Sequence, residues 1–87
     1  MYQNYPNPFN PKTTITFDTP EKSRVQLAVY DVLGRKVQIL TDQVYPVGRH
    51  SLVWDTWGLP SGVYFIRMNA RGSLQKFTAV RKVMLIR

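Results

Sequence analysis

The sequence predicts a small all-β protein built as an antiparallel β-sandwich. Apolar and polar residues alternate along several short segments, which is the period of a strand with one buried face. Residues that favour turns separate these segments at short intervals, and no helical period of 3.6 residues persists. A chain of 87 residues is the size of one domain, so we expect all strands to share a single core.

A proline-rich lead-in over residues 1–12 precedes the sandwich, which we expect to occupy residues 13–87. The lead-in carries the letters YPNPFNPK, in which each proline fixes φ and pushes the preceding residue towards an extended conformation. The first strand then follows at once, with Ile15 and Phe17 on one face. We interpret the lead-in as a rigid entry into that strand.

The later strands show the same alternation. Their apolar faces comprise Val25, Leu27 and Val29; Val37 and Ile39; Leu52 and Trp54; and Tyr64, Ile66 and Met68. The last segment, FTAVRKVMLIR, is also strand-like, and it gives a seventh strand if it breaks near Ala79. The continuous apolar run at residues 83–86 leaves the inward side of this segment unassigned. Six to seven such strands predict an immunoglobulin-like or fibronectin-like sandwich.

The letters DVLG at residues 31–34 have the signature of a type I turn between the second and third strands. Asp stands first and Gly fourth, and Gly34 is free to adopt a positive φ before the next strand. The presence of Asp31 is therefore explained by its role in this turn, without a catalytic role.

The chain is basic, with a net charge of +7 from 12 Lys and Arg against 5 Asp and Glu. Such a charge attracts anionic partners. The basic residues are scattered along the sequence, however, and are not clustered among aromatic residues, so we expect a solvated surface and no nucleic acid partner. There is no cysteine, and no disulfide holds this small core.

Few residues suit catalysis. His50 is the only histidine, and it lies in a predicted strand with no activated nucleophile beside it. The acidic residues lie mostly near strand ends, without metal-ligand spacing or the facing carboxylates of a glycosidase. We therefore expect no enzymatic activity, no cofactor and no bound metal.

The two tryptophans have different predicted roles. Trp54 is in phase with the apolar face of its strand and is predicted to lie in the core. Trp57, in the loop DTWGLP, is the better candidate for an exposed contact. Because exposed rings on a β-sandwich can stack on sugars, a carbohydrate-binding accessory module of a secreted glycosidase is one alternative function.

Five segments in chain order carry a family resemblance: YPNPFNPKTTITF, VYDVLGRKV, GRHSLVWD, LPSGVYFIRM and RKVMLIR. Together they resemble the C-terminal sorting domain, type A, of proteins exported by the type IX, or Por, secretion system. The resemblance covers essentially the whole chain. It implies an export signal at the end of a larger protein, with the cargo domain upstream.

The resemblance also implies partners and a destination. The outer-membrane secretion machinery recognises such a domain, a sortase-like peptidase commonly removes it, and the cargo is attached to anionic lipopolysaccharide or released. The parent protein would pass through the periplasm to the outer-membrane surface or the extracellular space.

The motifs of the family map onto a set of recognition positions in this chain. These are Pro6, Asn7 and Pro8; Gly34, Arg35 and Val37; Leu59, Gly62 and Tyr64; and Lys82 and Arg87. Members of the family often end on Lys. Arg87 keeps the positive charge at that position but carries it on a planar guanidinium group in place of an ammonium group.

A second resemblance is to the immunoglobulin-like domain of flagellar hook-capping proteins, which shares the PNPFNP-like lead and the SGVY letters. In those domains the stretch between the Trp-Asp and Ser-Gly letters is longer, whereas here it is only TWGLP. We favour the sorting domain, with a structural domain of a hook-capping or cell-surface assembly as the alternative.

Overall fold

The computed structural model describes residues 11–86, which form six β-strands and no helix. The strands are β1 (Lys12–Thr19), β2 (Ser23–Tyr30), β3 (Lys36–Tyr45), β4 (Gly48–Asp55), β5 (Gly62–Gly72) and β6 (Lys76–Leu85). Because β6 continues through Ala79 without a break, the described residues form six strands and not seven. Within this range no helix has the length and apolar character needed to cross a membrane.

The strands form two antiparallel sheets that share one core. β1 pairs with β4 in the small sheet, and the other four strands form the large sheet in the order β3–β2–β5–β6. Buried side chains of both sheets belong to one cluster. This architecture confirms the predicted all-β sandwich.

The core follows the alternation of the sequence in most strands. The small sheet supplies Ile15, Phe17 and Trp54, which are at most 1% exposed. The large sheet supplies the other large members of the cluster, which are Val25, Leu27, Val29, Tyr64, Ile66, Met68, Val83 and Leu85. The inward side of β6, which the sequence left unassigned, is therefore the side of Val83 and Leu85.

β3 departs from the predicted alternation. Val37 and Ile39, predicted to form its apolar face, are 39% and 52% exposed. The register with β2 shifts twice, as at β-bulges, and these shifts insert Val37 and Leu40 as extra residues. Since each extra residue moves the following side chains to the other face, Ile39 lies opposite Ala28 on the outer face, and Leu40 packs against the core instead.

A hydrogen bond joins the two sheets inside the core. The indole Nε1–H of Trp54 in β4 donates to Oε1 of Gln38 in β3 at 3.1 Å. A buried indole needs such an acceptor, and Gln38 supplies it from the inner position opposite Val29.

Candidate recognition surface

The β2–β3 turn at residues 31–35 is held by Asp31. Its main-chain carbonyl accepts from the N–H of Gly34 at 3.0 Å, and its Oδ1 accepts from the N–H groups of Leu33 and Arg35 at 2.9 and 3.0 Å. Gly34 has a φ of +79°, in agreement with the predicted turn. The Nε–H of Arg35 donates to Oδ2 of Asp31 at 2.8 Å, so the side chain of Arg35 is part of the turn.

These hydrogen bonds favour the ionised form of the Asp31 carboxyl. The pKa of Asp31 lies below its ordinary value, first because the main-chain N–H of Arg35 donates to it and also because the Arg35 guanidinium and the N–H of Leu33 do. The turn is therefore ordered by one carboxylate. It holds Val32 and Leu33 at its tip, where they are 66% and 73% exposed.

The β4–β5 loop at residues 56–61 is fixed by a leucine and a tyrosine. The N–H of Leu59 donates to the carbonyl of Thr56 at 3.1 Å, and its side chain packs against the core. Tyr64 is 5% exposed, and its hydroxyl donates to the carbonyl of Pro60 at 2.8 Å. Leu59 and Tyr64, two of the predicted recognition positions, thus fix the conformation of this loop from its buried side.

The fold brings the middle and late sequence motifs together. One surface cavity of about 370 Å³ is lined by residues of both motifs, including Arg35, Val37, Leu59, Gly62 and Tyr64. The two segments meet because Tyr30, at the end of β2, lies opposite Phe65, near the start of β5. We call this part of the molecule, with the turn 31–35, the loop 56–61 and the adjoining end of β6, the motif end.

β6 reaches the motif end with its last residues. Lys82 lies opposite Phe65 on the outer face and is exposed, whereas Val83 lies opposite the buried Tyr64. Met84 and Ile86 are 56% and 64% exposed. Arg87 lies outside the described residues.

The lead-in joins the sandwich at the same end. Pro6, Asn7 and Pro8 lie outside the described residues, but the carbonyl of Pro11 accepts from both the N–H and the Oγ1–H of Thr56, at 2.8 and 2.6 Å. Thr56 is 2% exposed. The entry into β1 is therefore tied to the β4–β5 loop.

The two outer strands of the large sheet present different edges. β3 is interrupted twice, which twists an edge and discourages pairing with another strand. β6 pairs with β5 along its whole length of ten residues without a shift of register. A long, regular edge leaves a row of main-chain N–H and C=O groups for a further strand.

His50 belongs to a structural cluster at the other end of the molecule. Its Nε2 lies 2.8 Å from the carbonyl of Pro46 and 3.1 Å from Oγ1 of Thr19. Its ring packs against those of Phe17 and Tyr45, with centroids 5.4 and 4.9 Å apart. Across residues 11–86, no group of three His, Asp or Glu side chains is arranged to hold a metal ion.

Trp57 is 79% exposed, as expected for a contact residue, and Trp54 is fully buried. The other strongly exposed ring in the described part is Phe77, at 47%. Phe77 lies opposite Ala70, near the far end of β5, while Trp57 lies before its beginning. At about 3.3 Å per residue the two rings are separated by most of the length of the sheet, so they do not form one sugar-stacking platform.

The sequence did not reveal the role of Glu21 in the corner TPEKS. Its carboxylate accepts hydrogen bonds from the hydroxyl of Ser73 and from the N–H groups of Leu74 and Gln75, at 2.9 to 3.2 Å. It thereby joins the β1–β2 corner to the β5–β6 loop. No local pattern marks a contact across about 50 positions.

The chain matches a known protein family. The model of the secretion system C-terminal sorting domain matches residues 3–84. No curated protein and no solved structure matches the chain. The matched range includes the lead-in motif, both motifs of the motif end and Lys82.

Proposed function

Because the chain belongs to the family of secretion system C-terminal sorting domains, the sorting signals of type IX secretion, we propose that the outer-membrane machinery recognises its folded motif end. The domain is the non-catalytic sorting signal of a larger exported protein, whose cargo domain lies upstream. A sortase-like peptidase and anionic lipopolysaccharide are its further partners by analogy with the family. The destination is the outer-membrane surface or the extracellular space.

The observation that carries this proposal is the convergence of the motifs. Gly34 and Arg35 build a rigid turn, and Leu59 and Tyr64 fix the adjoining loop. None of these contacts requires the exposed apolar side chains at the tip of the turn. A pair of solvent-exposed apolar residues on an ordered support is suited to docking, because little conformational entropy is lost on binding.

β6 provides a second contact for the same partner. Its regular edge can accept an added strand from the receptor, as in other cases of β-augmentation. Lys82 is exposed beside that edge and can steer an acidic surface towards it. Val83 and Leu85 hold the strand in the core at the same time.

The test uses a reporter in a host that carries the pathway. A signal peptide, a fluorescent protein and these 87 residues are fused, and fluorescence is measured in the periplasm, at the cell surface and in the medium. Leu33→Asp is compared with Leu74→Asp, because both leucines are exposed at loop tips but lie at opposite ends of the molecule. We expect Leu33→Asp to retain the reporter in the periplasm and Leu74→Asp to be exported normally.

A second matched pair tests the edge. Lys36 and Lys82 stand at the two ends of one row across the large sheet, through Tyr30 and Phe65, so Lys36→Glu and Lys82→Glu make the same charge change at opposite edges. We expect only Lys82→Glu to impair export. Deletion of residues 82–87 is less informative, since it also removes Val83 and Leu85 from the core.

Thermal unfolding of all four variants provides the control. Substitutions of exposed residues change stability by only about 0.5 kcal/mol, so all four should stay folded. If the fusion that carries Leu33→Asp is exported at the wild-type level, the motif end is not the surface that the machinery recognises. Retention of the unaltered fusion in the periplasm would overturn the sorting function itself.

A further inference from the structure

Three basic side chains lie in one row on the outer face of the large sheet, at the end opposite the motif end. Arg24 in β2 lies opposite Arg71 in β5, and Arg71 lies opposite Lys76 in β6. Opposite residues on neighbouring antiparallel strands point to the same face, and the strands are about 4.8 Å apart. Basic residues that are scattered in the sequence therefore meet within about 10 Å in the fold.

This row is unfavourable for the sheet by itself, because like charges directly opposite each other repel. Arg24 is compensated by an ion pair from its Nε to Oδ1 of Asp42 at 3.0 Å. Within residues 11–86, neither Arg71 nor Lys76 forms an ion pair with a carboxylate. Both are exposed, so an anion in solution can reach them.

The adjacent row of the same face is polar and uncharged across β2, β5 and β6. It consists of Gln26, Asn69 and Thr78, which lie opposite one another in that order. The hydroxyl of Thr78 donates to Oδ1 of Asn69 at 3.0 Å. The amide N–H groups of Asn69 and the lone pairs of the hydroxyl stay available for a ligand.

An open cavity of about 450 Å³ lies over both rows. Its volume is in the range of small-molecule sites. Three cations and the carboxylate of Asp42 leave a net charge of +2 around it. A phosphate monoester carries about −1.5 to −2 at neutral pH, so its charge matches that of the cavity.

We propose that this cavity binds a phosphorylated saccharide. Arg71 and Lys76 hold the phosphate through charge-assisted hydrogen bonds. The polar row of Gln26, Asn69 and Thr78 meets the sugar hydroxyls. The site does not depend on the sorting function, because it lies at the other end of the molecule.

The test is titration of the 87-residue chain with glucose 6-phosphate, inorganic phosphate and glucose, followed by calorimetry. We expect glucose 6-phosphate to bind more tightly than inorganic phosphate, and glucose to give no measurable heat. Arg71→Gln and Lys76→Gln should each weaken binding of glucose 6-phosphate by about tenfold or more. Lys36→Gln removes one positive charge from β3 on the same face, outside the cavity, and should leave the affinity unchanged.

Thermal unfolding without ligand separates a binding role from a structural one. Arg71→Gln relieves repulsion within the row, so its melting temperature should equal or exceed that of the wild type. Equal affinities for inorganic phosphate and glucose 6-phosphate would show that the cavity binds the phosphate group without recognising the sugar. An equal loss of affinity in Lys36→Gln and Lys76→Gln, or no binding of glucose 6-phosphate at all, would overturn the site.

Discussion

The carboxylate of Glu21 occupies the space that a Cβ atom at Gly72 would need. A methyl group placed on Gly72 would overlap the carboxyl carbon of Glu21, which is held by the hydroxyl and main-chain groups of residues 73–75. Gly72 is thus required for space and not for an unusual φ. The corner before β2 and the loop before β6 are thereby joined at one point.

Gly72→Ala should destabilise the domain by about 1–3 kcal/mol, because the Glu21 carboxylate must move and give up its hydrogen bonds to residues 73–75, and the effect should depend on Glu21. In a Glu21→Ala background the methyl group has room, and alanine there should cost nothing or stabilise slightly by restricting the unfolded chain. Denaturant unfolding of the two single variants and the double variant measures this coupling. Additive effects would show that the two residues do not compete for this space.

Gly34→Ala should destabilise the domain by about 1 kcal/mol, and Gly34→Val by more, because φ at this position is +79°. A Cβ atom there meets no other atom within 4 Å, so the cost is conformational and not steric crowding. Asparagine adopts this conformation more readily, and Gly34→Asn should be the mildest of the three. Thermal unfolding tests the order; equal melting temperatures for all variants and the wild type would contradict it.

Asp31→Asn should lower stability near neutral pH but not in strong acid. The folded-state pKa of Asp31 is depressed, chiefly by the N–H of Arg35, so its contribution is complete above the unfolded pKa of about 3.9 and is lost as pH falls through the folded value. The gap between the unfolding curves of wild type and variant should therefore close below about pH 4. Unfolding free energies measured from pH 7 to pH 2 test this, and a gap that is constant with pH would argue against the mechanism.

Leu40→Ala should destabilise the domain by about 2 kcal/mol, and Ile39→Ala by less than about 1 kcal/mol. The reason is that Leu40 packs against the core, while Ile39 is 52% exposed on the outer face. Simple alternation along β3 predicts the opposite order. Chemical denaturation of the two single variants therefore decides whether the bulges are present in solution.

The sequence predicts much of this fold because the core strands are regular. Alternation correctly placed Phe17, Leu27 and Ile66 in the core, and the turn letters placed the bend at Asp31. It failed at Val37 and Ile39, because an inserted residue reverses the faces without leaving a mark in the local pattern.

The candidate sites were predictable to different degrees. Arg35 and Tyr64 could be selected through the family motifs, but that they meet at one end follows only from the register of β2 with β5. The basic row was hidden for the same reason, since Arg24 and Arg71 are 47 positions apart and become neighbours only through strand pairing.

The hydrogen bond between Pro11 and Thr56 spans 45 positions, and Lys82 is further still along the chain from the turn at Asp31. The motif end is therefore a discontinuous epitope. An unfolded chain contains all the signature residues but does not bring them together into this surface. A receptor that binds the surface therefore recognises the domain only when it has both the signature residues and the folded structure.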